Sequence, residues 1–112
     1  MTKPKPLKRP DSIRIFGRTY SITYVPAADP TFPSLGLTDA DSHRIWCADG
    51  QPAVEEADTV VHEIFHAIRA TMRAEVDPAV EETMVGILAT GIVGVLQDNP
   101  EFAKWLIEGR NK

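Results

Sequence analysis

The chain has 112 residues, a single cysteine (Cys47) and a formal net charge of −4. That length gives one domain with a modest core, and a lone cysteine excludes an internal disulfide and a thiolate metal cage while suiting a reducing compartment. Setting aside Lys3, Lys5, Lys8 and Arg9 leaves 8 basic against 16 acidic residues, so the body is a poor nucleic-acid binder and only the basic N-terminus could meet an anionic partner.

Residues 1–10 alternate proline with charge and read as a disordered basic arm, leaving 11–112 as the folded domain. No apolar stretch follows the arm, so no secretory signal is expected. From Ser12 to Val25 the period is two: Ile13 and Ile15, then Tyr20, Ile22 and Tyr24, alternate with polar residues about Gly17, which predicts a hairpin. A loop to Pro33 follows. Leu35–Thr38 and Arg44–Cys47 are short strand candidates joined by a polar turn, a second hairpin.

A helix is expected from about Ala53 to Arg73, with Glu55, Glu56 and Asp58 near its positive end. Its apolar stripe reads Val54, Ala57, Val61, Ile64, Phe65, Ile68 and Met72. Ala79 to Gln97 is apolar on several sides and predicts a buried helix. Its longest apolar run, Met84 to Leu96, spans 13 residues and contains Thr90, short of the roughly 20 that cross a bilayer. The expectation is therefore no membrane and a cytoplasmic location. Asn99 as N-cap and Pro100 at the first position start a last helix, with Phe102, Trp105 and Leu106 as its buried stripe. The fold class expected is α+β: a small antiparallel sheet of three to four strands packed on three helices.

The central helix carries His62-Glu63-Ile64-Phe65-His66, the pattern H-E-x-x-H. Histidines four apart share one helix face, within reach of a single metal ion. Glu63, about 100° around the helix from His62, is placed to take a proton from a metal-bound water rather than to bind the metal. A hydrolytic zinc site needs a third protein ligand. The chain has three histidines, and His43 lies upstream, so no downstream imidazole or thiolate is available and the third ligand is a carboxylate. Glu81 and Glu82 open an otherwise apolar helix, where a carboxylate needs a partner. Glu82 shares its face with Gly86 and Ala89, which would let that helix pack closely on the histidine helix, and is favoured; Glu81 stays as the alternative.

With these residues the chain resembles gluzincin-type zinc metallopeptidases, in particular the minimal phage and prophage members related to ImmA/IrrE-type peptidases. The likeness runs through Arg44–Cys47, Thr59–Ile68, the Glu-led stretch Glu81–Ala89 and Leu96–Pro100. It implies a zincin-like fold, a Zn2+ cofactor held by His62, His66 and Glu82, and a peptide or protein substrate cleaved by zinc-bound water with Glu63 as general base. It also implies a location in the cytoplasm of a bacterial host. The strand before the histidine helix is expected at the sheet edge, where an extended peptide could add to it. Gly86 departs from the pattern, since relatives carry a polar side chain there that can orient a ligand histidine; Asp58 is a candidate substitute. His43, Tyr20 and Tyr24 are candidate oxyanion donors. The competing reading is a zinc-binding regulatory or interaction module on the same fold that no longer cleaves. Oligomeric state is left open.

Overall fold

The computed structural model describes residues 9–26 and 34–109. Residues 1–8 of the expected arm and 27–33 of the expected loop lie outside them. Arg9 and Pro10, assigned to the arm, are anchored: Arg9 Nη1 reaches Asp49 Oδ1 at 2.8 Å and Glu56 Oε1 at 3.2 Å, over the Tyr24 ring.

Four strands, β1 (Ser12–Ile15), β2 (Arg18–Val25), β3 (Gly36–Asp39) and β4 (Arg44–Ala48), form one sheet ordered β1-β2-β4-β3. β1 and β2 make the expected hairpin, closed by Phe16 and Gly17 with φ of 49° and 80°. Left-handed values at both turn positions match the strand twist. β3 and β4 form the second antiparallel hairpin, and Asp39 Oδ1 accepts from the backbone N–H groups of Asp41 and Ser42 in its turn.

The two hairpins join through β2 and β4, which run parallel with Ile22 opposite Ile45. The sheet is thus mixed rather than wholly antiparallel. The chain between β2 and β3 is long enough to carry β3 past the end of the sheet, so the apolar strand β4, with Ile45 and Cys47 fully buried, takes the interior. The short strand Gly-Leu-Thr-Asp is left at the edge, where a sheet tolerates polar residues. This corrects the expectation that the strand immediately before the histidine helix is the edge: that place belongs to β3.

Helix α1 (Ala53–Met72) packs on the sheet with Val60, Glu63 and Ala67 buried and Ile64 and Ile68 partly so. Val54 and Met72, at the ends of the expected stripe, are exposed. The buried face is rotated towards Val60 and Ala67, and Glu63 lies within it. α1 ends at Arg73 in the left-handed conformation, with N–H groups of Arg73 and Ala74 returning to the carbonyls of Ala70 and Arg69.

Helix α2 (Pro78–Asp98) starts at Asp77, whose Oδ1 accepts from Ala79 N at 2.9 Å and Val80 N at 3.4 Å. It packs on α1 along Val85, Ala89 and Val93, spaced one turn apart. Burial all round is not what the fold provides: Val80, Met84, Ile87, Leu88 and Val95 are exposed. At 21 residues and a mean hydropathy of 1.6 over its most apolar window, α2 is long and apolar enough to cross a membrane by length and composition. The helix extends beyond its apolar run from Met84 to Leu96, which alone is too short.

Helix α3 (Pro100–Gly109) exposes Phe102, Trp105 and Leu106, the stripe expected to be buried. Asn99 contributes its backbone carbonyl to Ala103 N, but its side chain points back and donates to Val95 O at 2.9 Å. It closes the end of α2 instead of capping α3.

Candidate metal centre

The helix spacing of His62 and His66 turns both rings towards the first turns of α2. His62 Nε2 lies 2.8 Å from Glu82 Oε1, His66 Nε2 lies 3.0 Å from Glu82 Oε2, and the two Nε2 atoms are 3.2 Å apart. These three side chains form a metal-competent group. Donors on a tetrahedral zinc with bonds near 2.0–2.2 Å stand about 3.3 Å from one another, so the cluster is already close to the span an ion of that size needs. Two imidazole nitrogens and a carboxylate are also a donor set that suits zinc.

Glu81, the alternative third ligand, does a different job. Its Oε2 is 2.5 Å from His66 Nδ1 and its Oε1 is 2.6 Å from Arg69 Nε, and its side chain is only 12% exposed. A carboxylate only accepts, so the short contact puts a proton on Nδ1 of His66. In the neutral ring that leaves Nε2 as a bare acceptor, yet Nε2 faces a Glu82 oxygen and the Nε2 of His62. A cation bound among these atoms would have a donor from each of the three side chains. Histidine ligands are commonly held in this way by a carboxylate on the other ring nitrogen. Glu82, by contrast, is 64% exposed in its side chain and free to swing onto an ion.

Glu63 lies 6% exposed beneath β3. Thr38 Oγ1 donates to Glu63 Oε1 at 2.7 Å, and also lies 3.0 Å from the Glu63 carbonyl. One carboxylate oxygen, Oε1, is thereby fixed, and the other, Oε2, lies under Gly36. A Cβ at Gly36 would sit 2.7 Å from that Oε2, so only glycine lets the edge strand pass this close over the acid. An open cleft of about 730 Å³ is lined by β3, the β3–β4 turn, His62, Glu63, His66, Arg69, Glu81 and Glu82. A second, of about 320 Å³, reaches His62, Glu63 and Glu82 from the side of Asp58, Gly86 and Thr90.

The remaining candidates lie elsewhere. Tyr24 donates its hydroxyl to Pro10 O at 2.6 Å, beneath the Arg9 guanidinium. Tyr20 is buried in the core with its ring 5.0 Å from that of His43, which occupies the β3–β4 turn with φ of 55°. None of the three lines either cleft around the cluster. Asp58 accepts from Thr90 Oγ1 at 2.9 Å, tying α1 to α2. At Gly86 a Cβ would be 4.0 Å from His62 Cε1, so the position borders the ring without supplying a polar atom.

Thr38, Gly36 and Arg69 were not foreseen. Arg69 could have been: it follows His66 by three residues, on the same helix face, as a charge amid apolar neighbours. Thr38 and Gly36 carry no local signal, because their role comes from the sheet order that brings β3 across Glu63.

Compared with protein-family models, with curated proteins and with solved structures, the chain has no match.

Proposed function

We propose that this chain is a zinc-dependent metallo-endopeptidase of gluzincin type, with His62, His66 and Glu82 as metal ligands and Glu63 as general base. The observation that carries the reading is the convergence of the His62 and His66 Nε2 atoms on Glu82, with Glu81 holding the Nδ1 proton of His66. A zinc ion bound there supplies Lewis acidity, polarising a peptide carbonyl and bringing a water's pKa to about 7.

The chain's own residues do the rest. Glu63 takes a proton on the oxygen that Thr38 leaves unbound and returns it to the departing amine. Thr38 fixes the carboxylate's orientation, and Gly36 admits it under the strand. Ala48 N donates to Leu35 O at 2.8 Å, which in an antiparallel ladder turns Leu37 and Asp39 towards β4 and the backbone groups of Gly36 and Thr38 outward. An extended peptide or protein segment added along β3 would meet those groups beside Glu63. The reaction needs no membrane and suits the cytoplasm.

The test has two stages. Zinc should bind at one equivalent and be lost in His62→Ala/His66→Ala; a chain that takes up no zinc refutes the proposal. Glu63→Gln should keep zinc and lose at least about 100-fold in cleavage of an unstructured protein, the usual range for a general base. Zinc binding without cleavage in the unaltered chain would favour the non-cleaving binding module.

A further inference from the structure

The face of α2 opposite α1 is apolar and, among the described residues, unpartnered. Val80, Met84, Ile87, Leu88 and Val95 are between 46% and 65% exposed, at helical spacing on one side of the helix. That is on the order of 450 Å² of apolar surface on α2 alone, as much as the largest patch of an ordinary monomer. Phe102, Trp105 and Leu106 of α3 bring the total to about 800 Å², the area each partner contributes to a standard stable interface.

We propose that this face is the interface of a homodimer, in which α2 of one copy crosses α2 of the other and α3 packs at the flank. The face is self-complementary. Its N-terminal half is bulky (Met84, Ile87, Leu88), whereas its C-terminal half holds Gly91 and Gly94, each with open space where a Cβ would stand. In an antiparallel crossing near Gly91, Leu88 of one copy meets Gly94 of the other and Ile87 meets Val95, the self-matching contact that a two-fold interface requires. Glycines in a helix interior cost about 1 kcal/mol each relative to alanine, and close helix approach is what offsets that. No charged side chain interrupts α2 between Glu82 and Asp98. A lipid surface is the weaker occupant: α2 is flanked by Asp77, Glu81, Glu82, Asp98 and Glu101, with no basic residue in its last turn, where a membrane-seated helix uses lysine or arginine anchors. Glu82 lies on the opposite side of α2, so the dimer leaves the metal cleft open. The dimer stands independently of the zinc reading.

Sedimentation equilibrium of the full chain, with and without zwitterionic and anionic phospholipid vesicles, tests this. The expected mass is twice 12.4 kDa down to low micromolar concentration, with no vesicle binding. Leu88→Asp and, separately, Trp105→Lys should weaken dimerisation at least 100-fold, with circular dichroism unchanged; both positions are more than half exposed. A monomer at about 100 µM, well above the dissociation constant of a standard interface, overturns the proposal, whether or not it binds vesicles. So does a dimer that both folded variants leave intact.

Discussion

Gly36 and Glu63 touch: a Cβ on Gly36 would stand 2.7 Å from Oε2 of Glu63, and 2.8 Å from Cγ2 of Thr59. Gly36→Ala must therefore push the edge strand off α1 or displace the carboxylate. Overpacking of this kind costs about 1–3 kcal/mol. Cleavage should fall at least tenfold while zinc affinity stays within about threefold, since Gly36 contacts none of the proposed ligands. Denaturant unfolding, zinc titration and a peptide-cleavage assay on one preparation check all three.

Thr38 supplies the hydrogen bond to Glu63 Oε1. Thr38→Val keeps the shape and removes the donor, leaving a buried carboxylate one partner short at a cost of about 1–3 kcal/mol. If the hydroxyl acts by orienting Glu63 as the proposed base, kcat should fall with KM little changed. Thr38→Ser should restore it. An unaltered kcat in a folded Thr38→Val chain would show that Glu63 needs no such anchor.

Both hairpins, all three helices and the shared face of His62 and His66 could be read from local pattern, because strand alternation, helix punctuation and the spacing of the two histidines are encoded within a few residues. What could not be read depends on partners distant in sequence. The parallel join of β2 to β4, and with it the edge position of β3, is decided by which strand is apolar enough for the interior. The apolar composition of α2 predicted burial, yet among the described residues nothing packs against its outer face. The face shared with Gly86 and Ala89 favours Glu82 over Glu81, but the contacts of Glu81 with Arg69 and His66 depend on how α1 approaches α2 and are invisible locally.

Cys47 is fully buried, and burial pushes its thiol up to about 11 from an ordinary value near 9.0. The neutral thiol is thus favoured in the fold. Its contribution to stability is complete below the unfolded-state pKa and is lost as pH rises from about 9 to about 11. Thermal stability should decline over that window, with a shallower decline in Cys47→Ala. At pH 8 the native thiol should resist alkylation and react once the chain is unfolded. Rapid alkylation of the native protein would contradict the burial.

Glu81 and Glu82 are assigned opposite roles, and the two amide variants should respond in opposite ways. Glu82→Gln removes the carboxylate proposed to bind the ion, so zinc affinity should fall at least about 100-fold. Glu81→Gln keeps the proposed ligands and still offers an oxygen to His66 Nδ1–H, so its affinity loss should be nearer tenfold, the lower end for residues that orient a ligand. Its metal-free form should lose about 1 kcal/mol, because Arg69, half-exposed and 2.6 Å from Glu81, then has no charge partner. Arg69→Met should reproduce that stability loss with a still smaller effect on zinc. Cobalt substitution offers a separate reading: Glu82→Gln should change the visible spectrum of the bound ion, whereas Arg69→Met should leave it as it is. If Glu81→Gln proves the more damaging to metal binding, Glu81 is the ligand and Glu82 the bystander.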